Sequence, residues 1–169
     1  MILTKTDSRQ VPRWQQELAR AITEPAELLR ELVLDLALLP AARAAAARFP
    51  LRVPRGFVAR MRQGDPDDPL LRQVLPLAAA LSPVPGFVAD PVDDQAARAA
   101  PGVLHKYHGR VLLIATGACA IHCRYCFRRE FPYSENHAGG DSWRPALNYL
   151  SQDRSLREVI LSGGDPLSL

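Results

Sequence analysis

Cys119, Cys123 and Cys126 are the only cysteines of this 169-residue chain, and they lie within eight residues of one another. An odd, tightly clustered set of cysteines is a poor framework for disulfides and a good one for a metal or redox site. The spacing Cys-x3-Cys-x2-Cys allows a single loop to follow the corners of a cube-shaped cluster. This stretch is therefore predicted to be a loop that binds a metal or a cluster.

The number of cysteines indicates which cluster chemistry to expect. Iron–sulfur cubanes are usually held by four thiolates, so three thiolates leave one iron without a protein ligand. An amino acid that chelates through its amine and carboxylate would fill that position, and S-adenosylmethionine (SAM) is such a molecule. An electron from the reduced cluster would then break a carbon–sulfur bond and leave a carbon radical. The cysteines thus predict a [4Fe–4S] cluster that binds SAM.

Three other interpretations of the cysteines stay open. A structural zinc site needs four ligands, and His122 or His137 would supply the fourth. An electron-transfer ferredoxin site would need a further cysteine, which the sequence does not contain. The cysteines would otherwise be inert core residues. A zinc or iron–sulfur module that binds a partner protein through the helical front of the chain is the non-catalytic alternative.

The first hundred residues are predicted to be helical, with many prolines between the helices. Thr23 is the expected N-cap of the second helix, because proline is tolerated in the first turn that follows it. Only short helices fit between the later prolines. We expect helices over 13–22, 25–39, 41–49 and 69–75, and a connector over 90–101.

A strand, a helix and a second strand are predicted for the remainder of the chain. The continuous apolar run 111–115 is typical of a strand buried on both faces. Ser142 would cap a helix over 143–150, and 158–161 is the second buried strand. Both loops that carry motifs follow a strand, so they should meet at the carboxyl end of a parallel sheet.

The second strand ends in a turn that contains two glycines and an aspartate. Alone, such a sequence is usually an ordinary turn. One strand after the cysteine loop, its glycines would let the backbone approach a ligand closely, and Asp165 would pair with an ammonium group. We therefore group the turn with the cysteines as one candidate site.

The segment 117–129, Gly-Ala-Cys-Ala-Ile-His-Cys-Arg-Tyr-Cys-Phe-Arg-Arg, resembles the radical SAM family, whose motif is Cys-x3-Cys-x-aromatic-Cys. Tyr125 fills the aromatic position, which in that family packs near the adenine. A Gly-Gly-Glu-like turn binds the SAM amino group in that family, and its counterparts here are Ser162, Gly163, Gly164 and Asp165. The fold that this resemblance implies is α/β: a helical region over 1–100, followed over 101–169 by the first βαβ part of a partial (β/α) barrel. Two strands cannot close a barrel, so we expect the chain to be truncated.

Within that family the sequence is most similar to the lysine 2,3-aminomutases, over the whole chain and including 105–114. The variant Cys-Arg-Tyr-Cys-Phe-Arg-Arg, followed by 131–133, resembles the branch that makes (R)-β-lysine for the modification of elongation factor P. The resemblance implies an isomerase that uses pyridoxal phosphate (PLP) as a second cofactor and L-α-lysine as substrate. A catabolic lysine or glutamate 2,3-aminomutase is the alternative with the same chemistry.

The resemblance also assigns roles to single residues. Arg128 matches the position that holds the substrate carboxylate, for which a guanidinium is well suited. Arg110 and Lys106 match positions near the PLP phosphate, although the family often has arginine in place of Lys106, and Tyr107 is a neighbour of PLP. The PLP lysine and the acids that hold the substrate ε-ammonium lie far downstream in the family and are absent here. We expect this chain alone to bind a cluster poorly and not to isomerise lysine.

The composition of the chain helps to predict its binding partners and its cellular location. The chain has 21 basic and 18 acidic residues, a net charge of +3, without a dense basic run, so nucleic-acid binding is not expected. Its longest apolar stretch, 28–40, is interrupted by charges and is too short to span a bilayer, and no signal peptide is evident. We expect a cytoplasmic protein whose partner is lysine, with a functional link to elongation factor P and its ligase. A homo-oligomer is left open.

Overall fold

The computed structural model describes residues 12–135 and 143–168. The first part of the chain is helical, as the sequence predicts. Two short 3₁₀ turns, Leu36–Leu38 and Ala78–Leu81, interrupt it. The helices of this part are α1 (Arg13–Ala19), α2 (Pro25–Glu31), α3 (Leu39–Arg48), α4 (Arg55–Val58) and α5 (Leu71–Val74).

The second helix is shorter than predicted. It ends at Glu31 instead of continuing to residue 39, because Val33 adopts a left-handed backbone conformation with φ of 54°. A β-branched residue seldom adopts that conformation, so the sequence carries no warning of the break. Asp35 then starts the 3₁₀ turn by accepting a hydrogen bond of 2.8 Å from the amide of Ala37.

The cap predicted for this helix is also wrong. Pro25 occupies the first position of α2 as expected, but the flanking residue is Glu24 and no side chain caps the amides. Proline has no N–H, so one of the four amides that a cap would satisfy is already missing. Ser142, the cap predicted for the later helix, lies outside the described residues.

Large aliphatic side chains form the core of the helical part. A bridge of two backbone hydrogen bonds, 2.8 and 3.0 Å long, joins Ile22 to Val53 and ties the end of the first helical segment to the loop before α4. Burying each such side chain stabilises the fold by roughly 1.5–3 kcal/mol. The core residues that are no more than 2% exposed include Ile22, Leu28, Leu29, Val53, Val58 and Leu71.

A four-stranded sheet follows, in the order β1 (Arg98–Ala100), β2 (Val103–Tyr107), β3 (Arg110–Thr116) and β4 (Glu158–Gly163). The first two pairings are antiparallel, and β3 pairs with β4 in parallel. Helix α6 (Trp143–Gln152) lies between β3 and β4 in the chain, so the predicted strand–helix–strand unit is confirmed. The division into 1–100 and 101–169 stays a prediction.

The hairpin of β2 and β3 was not predicted. Its tight turn contains Gly109, which has a φ of 72°, a conformation that glycine adopts without strain. The short strand β1 lies within the segment expected to be a connector. Its sequence, Arg-Ala-Ala, has none of the β-branched or aromatic residues that indicate a strand.

The two parallel strands differ in burial. Most of β3 is buried, as predicted, but Val159, Ile160 and Leu161 of β4 are 44%, 36% and 57% exposed. The prediction of a buried second strand is therefore wrong for the described residues. The reason is position, since β4 is the edge strand of this sheet and pairs only with β3. None of the described helices is long and apolar enough to cross a membrane.

Candidate functional site

The loop after β3 and the turn after β4 are joined at the same end of the sheet. The amide of Gly164 donates to the carbonyl oxygen of Thr116 at 2.8 Å, and the amide of Asp165 donates to that of Ala118 at 2.7 Å. The Thr116 hydroxyl in turn accepts from the amide of Ala118 at 3.0 Å. The cysteine loop and the glycine turn therefore form one continuous structure, as their positions after parallel strands predicted.

The two glycines of the turn permit this close approach. A Cβ atom on Gly164 would lie 2.1 Å from the carbonyl oxygen of Ala118 and 3.0 Å from the Sγ of Cys119. Gly163 has a φ of +129°, and its Cβ would lie 2.1 Å from the carbonyl oxygen of Thr116. Both distances to oxygen are too short for any side chain, so glycine is needed at both positions.

Cys119, Cys123 and Cys126 are free thiols with partial exposure. Burial raises the pKa of Cys119, and the nearby Cys126 and Asp165 raise it further; burial and Cys126 also raise the pKa of Cys123. The thiols thus lie near enough to disfavour one another's ionisation. A cation bound among them would reverse that preference, because metal ligation deprotonates thiols.

The three thiols can be compared with what a single metal ion and a cluster each require of their ligands. Among the described residues, no three His, Cys, Asp or Glu side chains gather around one point where a single ion would sit. A cubane does not require such a gathering, because each thiolate binds a different iron. The donor set of three soft thiolates suits iron–sulfur chemistry.

The cysteine loop also rests on the helical part of the chain. The backbone amide of His122 donates to the carbonyl oxygen of Arg52 at 2.9 Å, and the amide of Arg124 donates to that of Gln73 at 2.7 Å. The His122 Nδ1 lies 2.7 Å from the carbonyl oxygen of Pro50, which can only accept, so Nδ1 carries the proton. The Nδ1 atom of His122 is therefore not available as a zinc ligand. His137, the other zinc ligand considered, lies outside the described residues.

Tyr125, predicted to pack near the adenine, is 67% exposed. Its hydroxyl donates to the Oε1 of Gln73 at 3.3 Å. The helical part thus holds the end of the side chain and leaves much of the ring open. Gln73 was not recognised in the sequence, because nothing in its helix indicates a contact 52 residues away.

Arg128 is buried next to Asp94, an aspartate that no sequence motif marks as functional. Arg128 is 8% and Asp94 1% exposed, and the Arg128 Nε lies 2.7 Å from the Asp94 Oδ2. The Nη1 of Arg128 donates to the Ser162 hydroxyl at 2.9 Å. The Tyr133 hydroxyl donates to the Gly163 carbonyl oxygen at 2.9 Å on the same side of the turn. Arg128 and the glycine turn are therefore brought together.

Lys106 joins the same cluster. Its Nζ lies 2.6 Å from the Asp94 Oδ1, and it also donates to the carbonyl oxygen of Val92. One buried carboxylate thus pairs with two cations, Lys106 and Arg128, and the three side chains carry a net charge of +1. The structure places Lys106 beside the arginine predicted to bind a carboxylate.

Arg110 and Tyr107 lie elsewhere. They face each other across the hairpin of β2 and β3, and both are more than half exposed. Arg110 begins β3 and the cysteine loop follows its end, so the strand separates them by about 20 Å. Arg110 pairs with Glu158 and, with Tyr107, borders a groove of about 510 Å³. Their assignment to PLP stays a prediction.

No protein-family model matches the chain. It is 49% identical over 168 residues to the L-lysine 2,3-aminomutase of Escherichia coli, covering 99% of this chain and 48% of that protein. The proteins of the same name from Haemophilus influenzae and Buchnera aphidicola are 43% and 45% identical over 159 and 155 residues. These matches cover 94% and 91% of this chain and 47% and 46% of the relatives. The chain spans about half the length of the curated relatives that it matches, and over that half it belongs to the family of the L-lysine 2,3-aminomutases.

Proposed function

We propose that this chain carries the cluster-binding part of a radical SAM, PLP-dependent lysine 2,3-aminomutase. The reaction is the conversion of L-α-lysine to (R)-β-lysine for the modification of elongation factor P. The main support is the junction of the two loops, in which Gly164 lies against Cys119 at the carboxyl ends of β3 and β4. A site that needs a cluster and an amino-acid ligand side by side requires such a junction.

The residues of the two loops would divide the binding between them. Cys119, Cys123 and Cys126 would each bind one iron. The backbone of the glycine turn would approach the methionine end of SAM, where Asp165 would attract the amino group. The Oδ1 of Asp165 accepts a hydrogen bond of 3.0 Å from the amide of Leu167, which fixes the direction of the carboxylate. Tyr125, with its exposed ring, would pack against the adenine.

Arg128 would hold the carboxylate of the substrate. Its recorded hydrogen bonds use Nε and Nη1, and among the described residues none engages Nη2. When bound, the cofactors would supply a radical that removes hydrogen from carbon and a carrier for the migrating amino group. The task of the protein is to place the β-carbon of lysine near the cluster, and a fixed guanidinium is suited to that.

The proposal includes the biological setting. The aromatic residues at 125 and 127 and the segment 131–133 resemble the branch linked to elongation factor P, so the proposal is a cytoplasmic protein that works together with a β-lysine ligase. Three relatives named L-lysine 2,3-aminomutase support the substrate.

The test is a chimera in which this chain replaces the matching half of the Escherichia coli relative. Anaerobic reconstitution should give about four irons and four sulfides per chain, and the chimera should cleave SAM to 5′-deoxyadenosine and form β-lysine. The Cys123→Ala variant should lose the cluster, the cleavage of SAM and the formation of β-lysine. The Asp93→Asn variant, changed at an exposed loop position, should keep them.

Each of the other possible results would contradict a different part of the proposal. Bound zinc in place of iron would support the partner-binding module. SAM cleavage without β-lysine would preserve the radical chemistry and contradict the substrate. Isomerisation of glutamate in preference to lysine would favour the alternative aminomutase.

A further inference from the structure

We propose that Asp94 is a positioning residue that holds Arg128 in the orientation needed to bind a ligand carboxylate. This inference rests on the role of Arg128 in the proposed function. It adds a residue that lies in the segment before β1, far from the sequence motifs. Asp94 would not touch the substrate but would act through the guanidinium.

The guanidinium of Arg128 is held by contacts with several neighbouring side chains. The Asp94 Oδ2 binds the Arg128 Nε at 2.7 Å, and the Ser162 hydroxyl accepts from Nη1 at 2.9 Å. The Arg128 guanidinium also lies 4.9 Å from the centre of the Phe127 ring. With two nitrogens and one face engaged, the plane of the guanidinium is fixed. Nη2, which has no partner among the described residues, is the nitrogen left for a ligand.

Asp94 is itself held in place. The carboxylate of Asp90 accepts from the amides of Asp94 and Gln95 at 3.0 and 2.9 Å, so the loop folds around Asp90. The Asp94 Oδ1 is paired with Lys106 at 2.6 Å. A carboxylate buried to 1% exposure thus has a charged partner at each oxygen, which is the condition under which a buried charge is tolerated.

The charge of the cluster explains why it would favour an anion. Lys106 and Arg128 share the carboxylate of Asp94, and the carboxylate of Asp90 also interacts with Lys106, so it is the positive charge of the buried Arg128 that is only partly balanced. A ligand carboxylate at Arg128 would neutralise it, and charge-assisted hydrogen bonds to arginine are among the strongest available. Without Asp94 the guanidinium would keep its charge but lose its fixed direction.

The first measurement concerns the arginine itself and needs no cofactor. In the 169-residue chain labelled with ¹⁵N, the Nε–H resonance of Arg128, assigned by its absence in the Arg128→Lys variant, should exchange slowly with water. The Asp94→Asn variant should speed this exchange roughly 10- to 100-fold, because the charged acceptor is lost. The Asp93→Asn variant, which removes the same charge at the exposed neighbouring position, should not. Unchanged exchange in Asp94→Asn would overturn the proposal.

The second measurement is the preference for a carboxylate. The chimera with the Escherichia coli relative, reconstituted anaerobically with cluster, SAM and PLP and kept unreduced so that no radical forms, is titrated with L-lysine and with L-lysinamide, which lacks the carboxylate. We expect lysine to bind roughly 10- to 100-fold more tightly, and both Arg128→Lys and Asp94→Asn to bring this ratio near one. A merely structural loss would weaken both ligands and leave their ratio unchanged.

The outcomes separate the two proposals. A ratio lowered by Arg128→Lys but not by Asp94→Asn overturns the role of Asp94 and leaves the carboxylate site intact. A ratio near one in the unaltered chimera, or one insensitive to Arg128→Lys, overturns the carboxylate site itself. The Asp94→Asn variant leaves two cations without their buried partner and so could fail to fold. In that event, both measurements are made on the Asp94→Asn, Lys106→Met double variant. The Lys106→Met single variant is then the control.

Discussion

The carbonyl oxygen of Gln73, in helix α5, accepts a hydrogen bond of 2.7 Å from the amide of Arg124, in the middle of the cysteine loop. The helical part therefore supports the middle of the loop. The start of the loop follows β3, and Arg128, which comes after its last cysteine, is bonded to Ser162 of β4. A loop that must present three thiols in a fixed arrangement needs such support, because short loops without regular structure are otherwise mobile.

His122 provides a direct test of this support. The His122→Ala variant should lower the free energy of unfolding by about 1 kcal/mol, because the hydrogen bond from Nδ1 to the Pro50 carbonyl oxygen is lost. It should also speed tryptic cleavage after Arg124. Urea denaturation and timed proteolysis measure the two effects. The His108→Ala variant, exposed at the hairpin turn, is the control, and equal cleavage in both variants would argue against the support.

The contact between Gly164 and Cys119 predicts a severe effect of a single methyl group. The Gly164→Ala variant should lose about 3 kcal/mol of stability or separate the two loops, because its Cβ would overlap the Ala118 carbonyl oxygen. The matched control is Gly56→Ala in helix α4, where a Cβ meets nothing within 4 Å. That variant should gain about 0.5 kcal/mol in denaturant unfolding. Similar stabilities for the two variants would contradict the described junction.

Tyr133 predicts an alkaline limit to stability. Burial raises the pKa of Tyr133 from 10.0 to about 12. The folded state thus holds the phenolic proton more firmly than the unfolded state, so its contribution is complete below pH 10.0 and is lost as the pH rises to about 12. Tyr133→Phe should flatten this part of the stability profile, measured by urea unfolding across the range. Tyr125→Phe, at an exposed ring, should leave the slope unchanged; equal slopes in all three proteins would refute the assignment.

Asp68 predicts an acid limit for the helical part. Hydrogen bonds from the backbone amides, first that of Leu71 and then those of Arg62 and Leu70, lower the pKa of Asp68 below 3.8. Its contribution is present above the unfolded pKa and is lost as the pH falls through the lower folded value. The Asp68→Asn variant should therefore be less stable at neutral pH and lose less on acidification, as followed by circular dichroism. The control is Asp67→Asn, whose side chain is 85% exposed; the same acid profile for both variants would contradict this role.

The parts of the fold that could be predicted from sequence are those with local causes. The apolar run 111–115 is typical of an inner strand, and the position of both motifs after parallel strands brings them to one edge of the sheet. Three cysteines at close spacing predict a ligand loop, and that role stays a prediction. These features required no knowledge of distant contacts.

The parts that could not be predicted depend on contacts far apart in the chain. Asp94 is a polar residue in a polar, alanine-rich segment. Its importance lies in the hydrogen bond with Arg128, 34 residues later, which the local sequence does not indicate. The break at Val33, which is 70% exposed, opposes local preference and is accompanied by backbone hydrogen bonds from Leu34 to Leu29 and from Gly64 to Leu32. Lys106 was assigned by resemblance, and only the structure relates it to Asp94. In each case the interaction partner lies elsewhere in the chain and cannot be identified from the local sequence.

The central claim is that the three cysteines hold a cluster to which SAM binds directly. The most direct measurement is the EPR spectrum of the anaerobically reconstituted, reduced chain before and after the addition of SAM, with the Cys123→Ala variant beside it. We predict a cluster signal that SAM changes, whatever fraction of the chains holds a cluster, and no such signal in the variant. A signal that SAM leaves unchanged, or a chain that takes up zinc and no iron, would contradict the claim.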